Sequence, residues 1–300
     1  MNDYFKLTEE QQRMVITQTA NKIGLPVQAV EKDLWVTVIL QVLFTLSFAD
    51  KLVFKGGSSL SKVWNLIQRF SEDIDLVIDR SIFNSEGDLT KKQLKRLRKE
   101  SSLFVRDTVV SALKQALKLY GLSELCIVEA EPDGDGDNTY PEPRKIHIRY
   151  KSLFEERQSY LAPEVMLEIG SRALMEPAET AKVKSMISTN FPINTTIVNS
   201  DILTAVPQKT FLEKAFLLHE LFSTDGGAIA NRKSRHLYDL EKMMDSEFAL
   251  KAITDDELWN TIHHHREVFT HMKDVDYSPD IRDRISLVPP QNVIEEWRKD

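Results

Sequence analysis

Val53-Phe54-Lys55-Gly56-Gly57-Ser58-Ser59-Leu60-Ser61-Lys62, followed by Ser71-Glu72-Asp73-Ile74-Asp75-Leu76, says more than any other stretch of this 300-residue chain. A hydrophobic strand enters a Gly-Gly-Ser turn. Leu60, Val63, Trp64 and Ile67 then share one face of a helix, and a second strand carries two acids one residue apart. Side chains alternate along a strand, so Asp73 and Asp75 point to one face while Ile74 and Leu76 point to the core. Two carboxylates side by side repel each other, and a divalent cation between them removes the repulsion; hard oxygen ligands suit Mg²⁺, with Mn²⁺ as the other choice. Opposite them, a Gly-Gly turn opening a helix exposes N–H groups to an anion. Metal-holding acids facing a phosphate-binding turn are the parts that nucleotidyl transfer requires.

Phe54-Lys55-Gly56-Gly57-Ser58-Ser59-Leu60-Ser61-Lys62-Val63 with Arg69-Phe70-Ser71-Glu72-Asp73-Ile74-Asp75-Leu76 resembles the nucleotidyltransferase superfamily related to DNA polymerase beta. Within it, the wording is similar to the AbiEii/AbiGii toxin family, the nucleotidyltransferase half of two-gene toxin–antitoxin and abortive-infection systems. The long segment from Ser59 to Glu72 fits that branch, since the generic superfamily has a shorter gap. The resemblance implies an NTP substrate, a separately encoded antitoxin, and modification of tRNA 3′ ends as in relatives. It extends more loosely over 28–36, 164–172 and 207–240.

Composition limits the alternatives. The chain is 42% hydrophobic, enough for a sizeable core, and has no apolar run of membrane-spanning length. Met1-Asn2-Asp3-Tyr4-Phe5-Lys6 lacks the features of a secretory signal, so a cytoplasmic enzyme without membrane contact is expected. The single cysteine, Cys126, excludes an intrachain disulfide and reads as a core residue of a buried strand. A formal charge of −7 argues against a general nucleic-acid coat while leaving room for a local basic patch.

Thr8 with Gln11 reads as a capping box opening a helix that Gly24-Leu25-Pro26 ends. A second helix, to Leu46, carries Glu31-Lys32-Asp33, expected to present its polar face near the site. Strands are expected over 52–54 and 74–78, a helix over 90–119, strands around Cys126, over 144–150 and over 164–170, then helices over 208–223, 232–246, 255–271 and 290–299, with Asp225-Gly226-Gly227 as a loop. This order gives an α+β fold: a nucleotidyltransferase-like mixed sheet core flanked by helices, with a helical C-terminal region. The expected division is 1–200 and 201–300, with the active-site cleft between them. Asp133-Gly134-Asp135-Gly136-Asp137-Asn138 lacks the twelfth-position Glu of a calcium loop and reads as a polar loop.

The candidate site is built from these elements. Asp73 and Asp75 are the metal ligands, and Glu168, on the polar face of its strand, is the candidate third carboxylate; an ordinary surface glutamate is the alternative and Glu164 the fallback. Gly56 and Gly57 allow close backbone approach to phosphates. Ser58 is placed to bond a phosphate and cap the helix; Ser71 bonds a phosphate or starts the strand; Lys62 reaches a phosphate or stays solvated. Lys214 falls inside the apolar arc of Phe211, Ala215, Leu218 and Phe222, where a lysine either snorkels or meets an anion. The resemblance implies that Lys214 contacts nucleotide phosphate and that Asp239 supports the site, although Arg235 and Asp239 are also spaced for a helix-surface ion pair. His263-His264-His265 point three ways on a helix and do not chelate one ion. Two basic strips, Lys145-His147-Arg149 on a strand and the helix around Lys91 to Lys99, are solvated faces or contacts for tRNA phosphates. Transfer of AMP or UMP to a protein hydroxyl, and a non-catalytic nucleotide-binding regulator, are the alternative functions.

Overall fold

A computed structural model describes residues 3–71, 73–136, 139–154, 161–196, 201–223 and 233–300. The expected loop Asp225-Gly226-Gly227, the helix start at 232, and Glu72, Asp137 and Asn138 of the quoted stretches lie outside the described residues. α1 (Glu9–Ile23) starts from the capping box read in the sequence: the Thr8 hydroxyl accepts from the Gln11 N–H at 3.3 Å, and the Gln11 side chain accepts from the Thr8 N–H at 3.0 Å. α2 (Val27–Leu43) is buried from Ala29 to Leu43, as a helix that is apolar around most of its circumference must be.

The polar run on α2 braces the core instead of lining the site. Glu31 accepts from the Ser152 hydroxyl at 2.6 Å and the Leu153 N–H at 2.7 Å, Lys32 donates to the Ala162 carbonyl at 3.2 Å, and Asp33 accepts from the Met186 N–H at 2.7 Å and pairs with Lys62. Polar groups buried on a core helix need such partners.

β1 (Leu52–Lys55), α3 (Gly56–Lys62) and β2 (Asp73–Ile78) form the motif unit. α4 (Lys91–Phe104), a π turn over 105–109 and α5 (Val110–Leu119) follow as one continuous helical stretch. β3 (Cys126–Ala130), β4 (Arg144–Tyr150) and β5 (Glu164–Gly170) extend the sheet on one side; β6 (Ala178–Lys182), α6 (Met186–Asn190) and β7 (Asp201–Ala205) complete it on the other. The order is β3-β4-β5-β2-β1-β7-β6. β2 pairs antiparallel with β1 and parallel with β5, and β1 pairs parallel with β7, so the sheet is mixed, as expected.

Two strands escape the sequence reading. β6, Ala-Glu-Thr-Ala-Lys, is an edge strand with no buried face, so it shows no apolar alternation. β7 carries the sheet past residue 200, and the helical run begins at Pro207, a favoured first helical residue. β3 is also an edge strand: Ile127 is 62% exposed and Cys126 only half-buried, which corrects the buried strand expected there. The C-terminal helices are α7 (Pro207–Ser223), α8 (Ser234–Met243), α9 (Glu247–Thr254), α10 (Asp256–His265, continued by a π turn to Thr270) and α11 (Ile294–Lys299). α9 falls between two expected helices and was not read. Among the described residues no helix is long and apolar enough to cross a membrane.

The sheet separates two environments. Ile74, Leu76, Leu167, Ile169, Ile146 and Ile148 join the large core with α2. Asp73, Asp75 and Glu168 alternate away from it, and α7 and α10 stand over that other face, leaving a cleft.

Candidate active site

The cleft encloses about 590 Å³, and its walls hold Asp73, Asp75, Glu168, Gly56, Gly57, Ser71 and Lys214 together. Such a volume lies in the range of small-molecule sites. Register explains the acidic wall. β2 and β5 run parallel with Asp75 directly opposite Glu168, so three carboxylates share one sheet face. The third is not free: Lys145 of β4, also opposite Glu168, sets its Nζ 3.3 Å from Oε1. Glu164, the fallback, is held by His147 at 3.0 Å and Arg149 at 3.1 Å. With Arg149 also on Glu129 at 2.7 Å, the strip Lys145-His147-Arg149 is neutralised by acids, which corrects its reading as a basic face. Among the described residues no three metal-ligating side chains form a cluster.

The glycine turn serves its own neighbours first. Gly56 has φ +78°, and a Cβ there would stand 2.9 Å from Asp75 Cγ and 3.1 Å from its Cβ. A Cβ on Gly57 would meet Arg69 Nη2 at 2.5 Å and Ser71 Oγ at 3.1 Å. The two glycines therefore let Asp75 and Arg69 lie directly on the turn. Ser58, fully buried, donates to the Asp73 carbonyl and lies 2.9 Å from Ser71 Oγ. It fastens the start of β2 and does not line the cleft. Lys62 likewise faces away, paired with Asp33. Both positions differ from their expected contact with phosphate. On a helix of seven residues, sequence spacing does not fix which side chains turn inward.

A cluster of cations borders the same cleft. Lys214, 7% exposed, sets its Nζ 2.9 Å from Asp239 Oδ2 and 3.2 Å from His236 Nδ1. Asp239, 0% exposed, also accepts a bidentate pair from Arg69 at 2.7 Å to each oxygen. Burial alone would raise the Asp239 carboxyl; the Arg69 hydrogen bonds and the Lys214 charge outweigh it and hold the group below the usual carboxylate range. Burial pushes the Lys214 ammonium below the usual lysine range against the pull of Asp239. Burial, with Lys214 adjoining, pushes His236 down to about 3, so its neutral ring accepts a hydrogen bond from the Lys214 ammonium at Nδ1. Arg235 makes no ion pair with Asp239; its Nε is buried without a partner among the described residues, and it lines the cleft.

Several cleft residues went unread. Lys55 lies across from Asp75 in the β1–β2 register. Arg69 stood in the quoted motif without a role. Arg172, two residues beyond β5, donates to the Phe269 carbonyl, while His265 bonds the Arg172 carbonyl at 2.7 Å. Arg266 faces the cleft but is paired with Glu220. Glu142 accepts from Ser171 and from the Ser101 hydroxyl at 3.1 Å, and burial pushes its carboxyl up despite those bonds. Thr210, Glu213, Lys214 and Leu217 line the cleft from one stripe of α7, a helical spacing visible in sequence. The partners that meet that stripe come from segments far away in the chain.

Comparison with known proteins points the same way as the cleft. A family model described as nucleotidyl transferase AbiEii toxin, type IV TA system, matches residues 38–300. The fold is similar to that of MenT4, a nucleotidyltransferase toxin from Mycobacterium tuberculosis H37Rv, with a TM-score of 0.51 at 15% identity, covering 97% of this chain and 88% of that one. No curated protein matches in sequence.

Proposed function

This chain belongs to the AbiEii nucleotidyl transferase toxin family of type IV toxin–antitoxin systems, and we propose from that premise that it transfers NMP from an NTP to the 3′-terminal hydroxyl of a tRNA, using Mg²⁺ or Mn²⁺ at Asp73 and Asp75. The observation that carries the proposal is that the Asp73–Asp75 pair borders the same cleft as Arg69 and Lys214, which Asp239 holds together. The acids fit the metal. Mg²⁺ takes one or two carboxylates and completes its shell with water and substrate phosphates, so Glu168 can stay with Lys145. When bound, the ion neutralises phosphate charge and lowers the pKa of an attacking hydroxyl.

The chain's own residues do the rest. Lys214, Arg69 and Arg235 attract the triphosphate and hold the charge that grows on the pyrophosphate leaving group. Asp239 keeps both of its oxygens on cations, so it orients Arg69 and Lys214 and does not serve as a free base. Gly56 keeps Asp75 against the turn, and Ser58 and Ser71 fix where β2 begins. Glu168 stands beside Asp75 as the third carboxylate. The protein acts in the cytoplasm, where tRNA and NTPs are present, and a separately encoded antitoxin restrains it.

The test is incubation of the purified protein with each α-labelled NTP, a divalent metal, and either total tRNA or total protein. Label is expected in tRNA, at the 3′ end by sequencing, lost on chelation and lost in Asp73→Asn with the circular dichroism spectrum unchanged. Label in protein alone, or an Asp73→Asn variant as active as the parent, would overturn the proposal.

A further inference from the structure

The chain carries 46 acidic residues against 39 lysines and arginines, yet one helix face runs against this balance. On α4 the exposed side chains Lys91, Lys92, Lys95, Arg96 and Lys99 fall within an arc of about 140°. Leu94 and Leu97, on the far side, pack on the core. Among the described residues only Arg96 has an acid beside it, Glu100 at 2.7 Å. Lys91, Lys92 and Lys95 have no carboxylate partner among the described residues, and Lys99 lies over the Tyr140 ring at 5.3 Å. A solvated helix face ordinarily intersperses acids four residues from its lysines, and this one holds a single glutamate. Lys91 and Lys92 also occupy the first turn, where the helix dipole disfavours cations. The face is a patch of unrelieved positive potential, and a polyanion relieves it.

The patch borders the segment that leads into the cleft. Lys99, in the middle of the arc, lies over Tyr140, and Arg98 at its edge donates to the Tyr140 carbonyl at 2.7 Å, while Ser101, buried on the core side of α4, bonds Glu142 at 3.1 Å. Glu142 and Pro143 line the cleft. The cations, spread over about 12 Å of helix axis, thus flank the segment that forms one of its walls.

We propose that this face of α4 is the docking track for the acceptor RNA, holding its phosphate backbone while the 3′ end enters the cleft. The proposal rests on RNA being the acceptor. Its test compares the quadruple variant K91E/K92E/K95E/K99E with a charge-matched control, K182E/K184E/K251E/K273E, whose lysines are exposed on β6, the turn after it, α9 and the C-terminal segment. Binding of tRNA is measured over a salt series, transfer is measured with labelled NTP, and nucleotide affinity is measured in parallel. The α4 variant is expected to lose at least about tenfold in tRNA affinity and transfer, with the slope of log affinity against log salt shallower by about 3. Its nucleotide affinity stays at the parent value, and the control loses much less. Equal losses in both variants, or parent-like transfer by the α4 variant, would overturn the docking track while leaving RNA as acceptor. A parent protein that labels no RNA would remove both readings. Anionic phosphatidylglycerol vesicles form a third arm: loss of vesicle binding with RNA binding retained would assign the face to a membrane surface and overturn the proposal.

Discussion

At the scale of single residues, Asp239 matters through what it holds. Both of its oxygens sit on cations, at 2.7 Å to Arg69 and 2.9 Å to Lys214, and it is fully buried. Removing one member of such a buried set leaves its partners charged and unpaired, at a cost of about 3–5 kcal/mol. Asp239→Ala is therefore expected to lose that much in urea denaturation, together with all transfer. Lys214→Met leaves the Arg69–Asp239 pair in place; it should fold nearly as stably while losing about 100-fold or more in turnover. Equal loss of stability in both variants would show Lys214 to be structural. Histidines give a pH signature. Burial holds His236 at about 3 and His265 at about 4, both below the ordinary value near 6.5. Below that pH the unfolded chain takes up protons that the fold refuses, so stability falls as pH drops from about 6.5 to 4. Each histidine contributes about 1.4 kcal/mol per pH unit. Urea midpoints at pH 7 and pH 5 check this, and His236→Gln should remove about half of the loss. The aspartate pair and Lys214 were legible in sequence, the first from period-two alternation and the second from a lysine inside an apolar arc. Ser58 and Lys62 were misread because their inward turn depends on the Asp73 carbonyl and on Asp33, neither of which short-range spacing reveals.

At the scale of elements, the β1–α3–β2 unit works because Gly56 combines a left-handed backbone with the absence of a side chain. A Cβ there would press on Asp75 at 2.9 Å, and β1 and β2 are held by their ladder, so the carboxylate is the part that yields. Gly56→Ala should cost about 1–3 kcal/mol through φ strain and overpacking and lower metal-dependent transfer at least about 100-fold. Gly87→Ala isolates the backbone contribution, since Gly87 has φ +66° with nothing within 4 Å of a new Cβ. Comparable activity in the two variants would mean that Gly56 serves the turn alone. The two strands were readable from their apolar and alternating patterns, but the helix between them is shorter than expected: it ends at Lys62, and Trp64 and Ile67, read as part of its apolar face, lie beyond it and pack with Leu60 against Met243. β6 and β7 were not readable, because an edge strand with no buried face leaves no pattern and β7, Asp-Ile-Leu-Thr-Ala, sets its apolar residues side by side without alternation. The π turn that continues α10 into Thr270 keeps the chain helical and fell within the single helix expected over 255–271.

At the scale of the molecule, the cleft is a seam of charge between the sheet and the C-terminal helices. Arg69 reaches Asp239 across 170 residues of sequence, Lys209 of α7 donates to the carbonyls of Leu174 and Met175, and His265 bonds the Arg172 carbonyl. Contacts of this range leave no periodic trace, which is why a helical C-terminal region could be read from the sequence while its fastening to the sheet could not. The same seam ties stability to substrate. Asp73 and Asp75 bring negative charge and Lys214, Arg69 and Arg235 positive charge to the same cleft, so under the proposed function a metal with a triphosphate would relieve both at once. A ligand at 100 times its Kd adds about 2.7 kcal/mol to the folded state, a rise of about 4 °C in Tm for a chain of this size. Differential scanning fluorimetry should show that rise with NTP and Mg²⁺ together, a smaller one with NTP alone, and none from the metal in Asp73→Asn. Lys214→Met should instead lose the shift that NTP gives without metal. If NTP stabilises the parent and Asp73→Asn equally whether or not Mg²⁺ is present, the nucleotide is held by the cationic cluster alone and the acidic pair has no part in binding it.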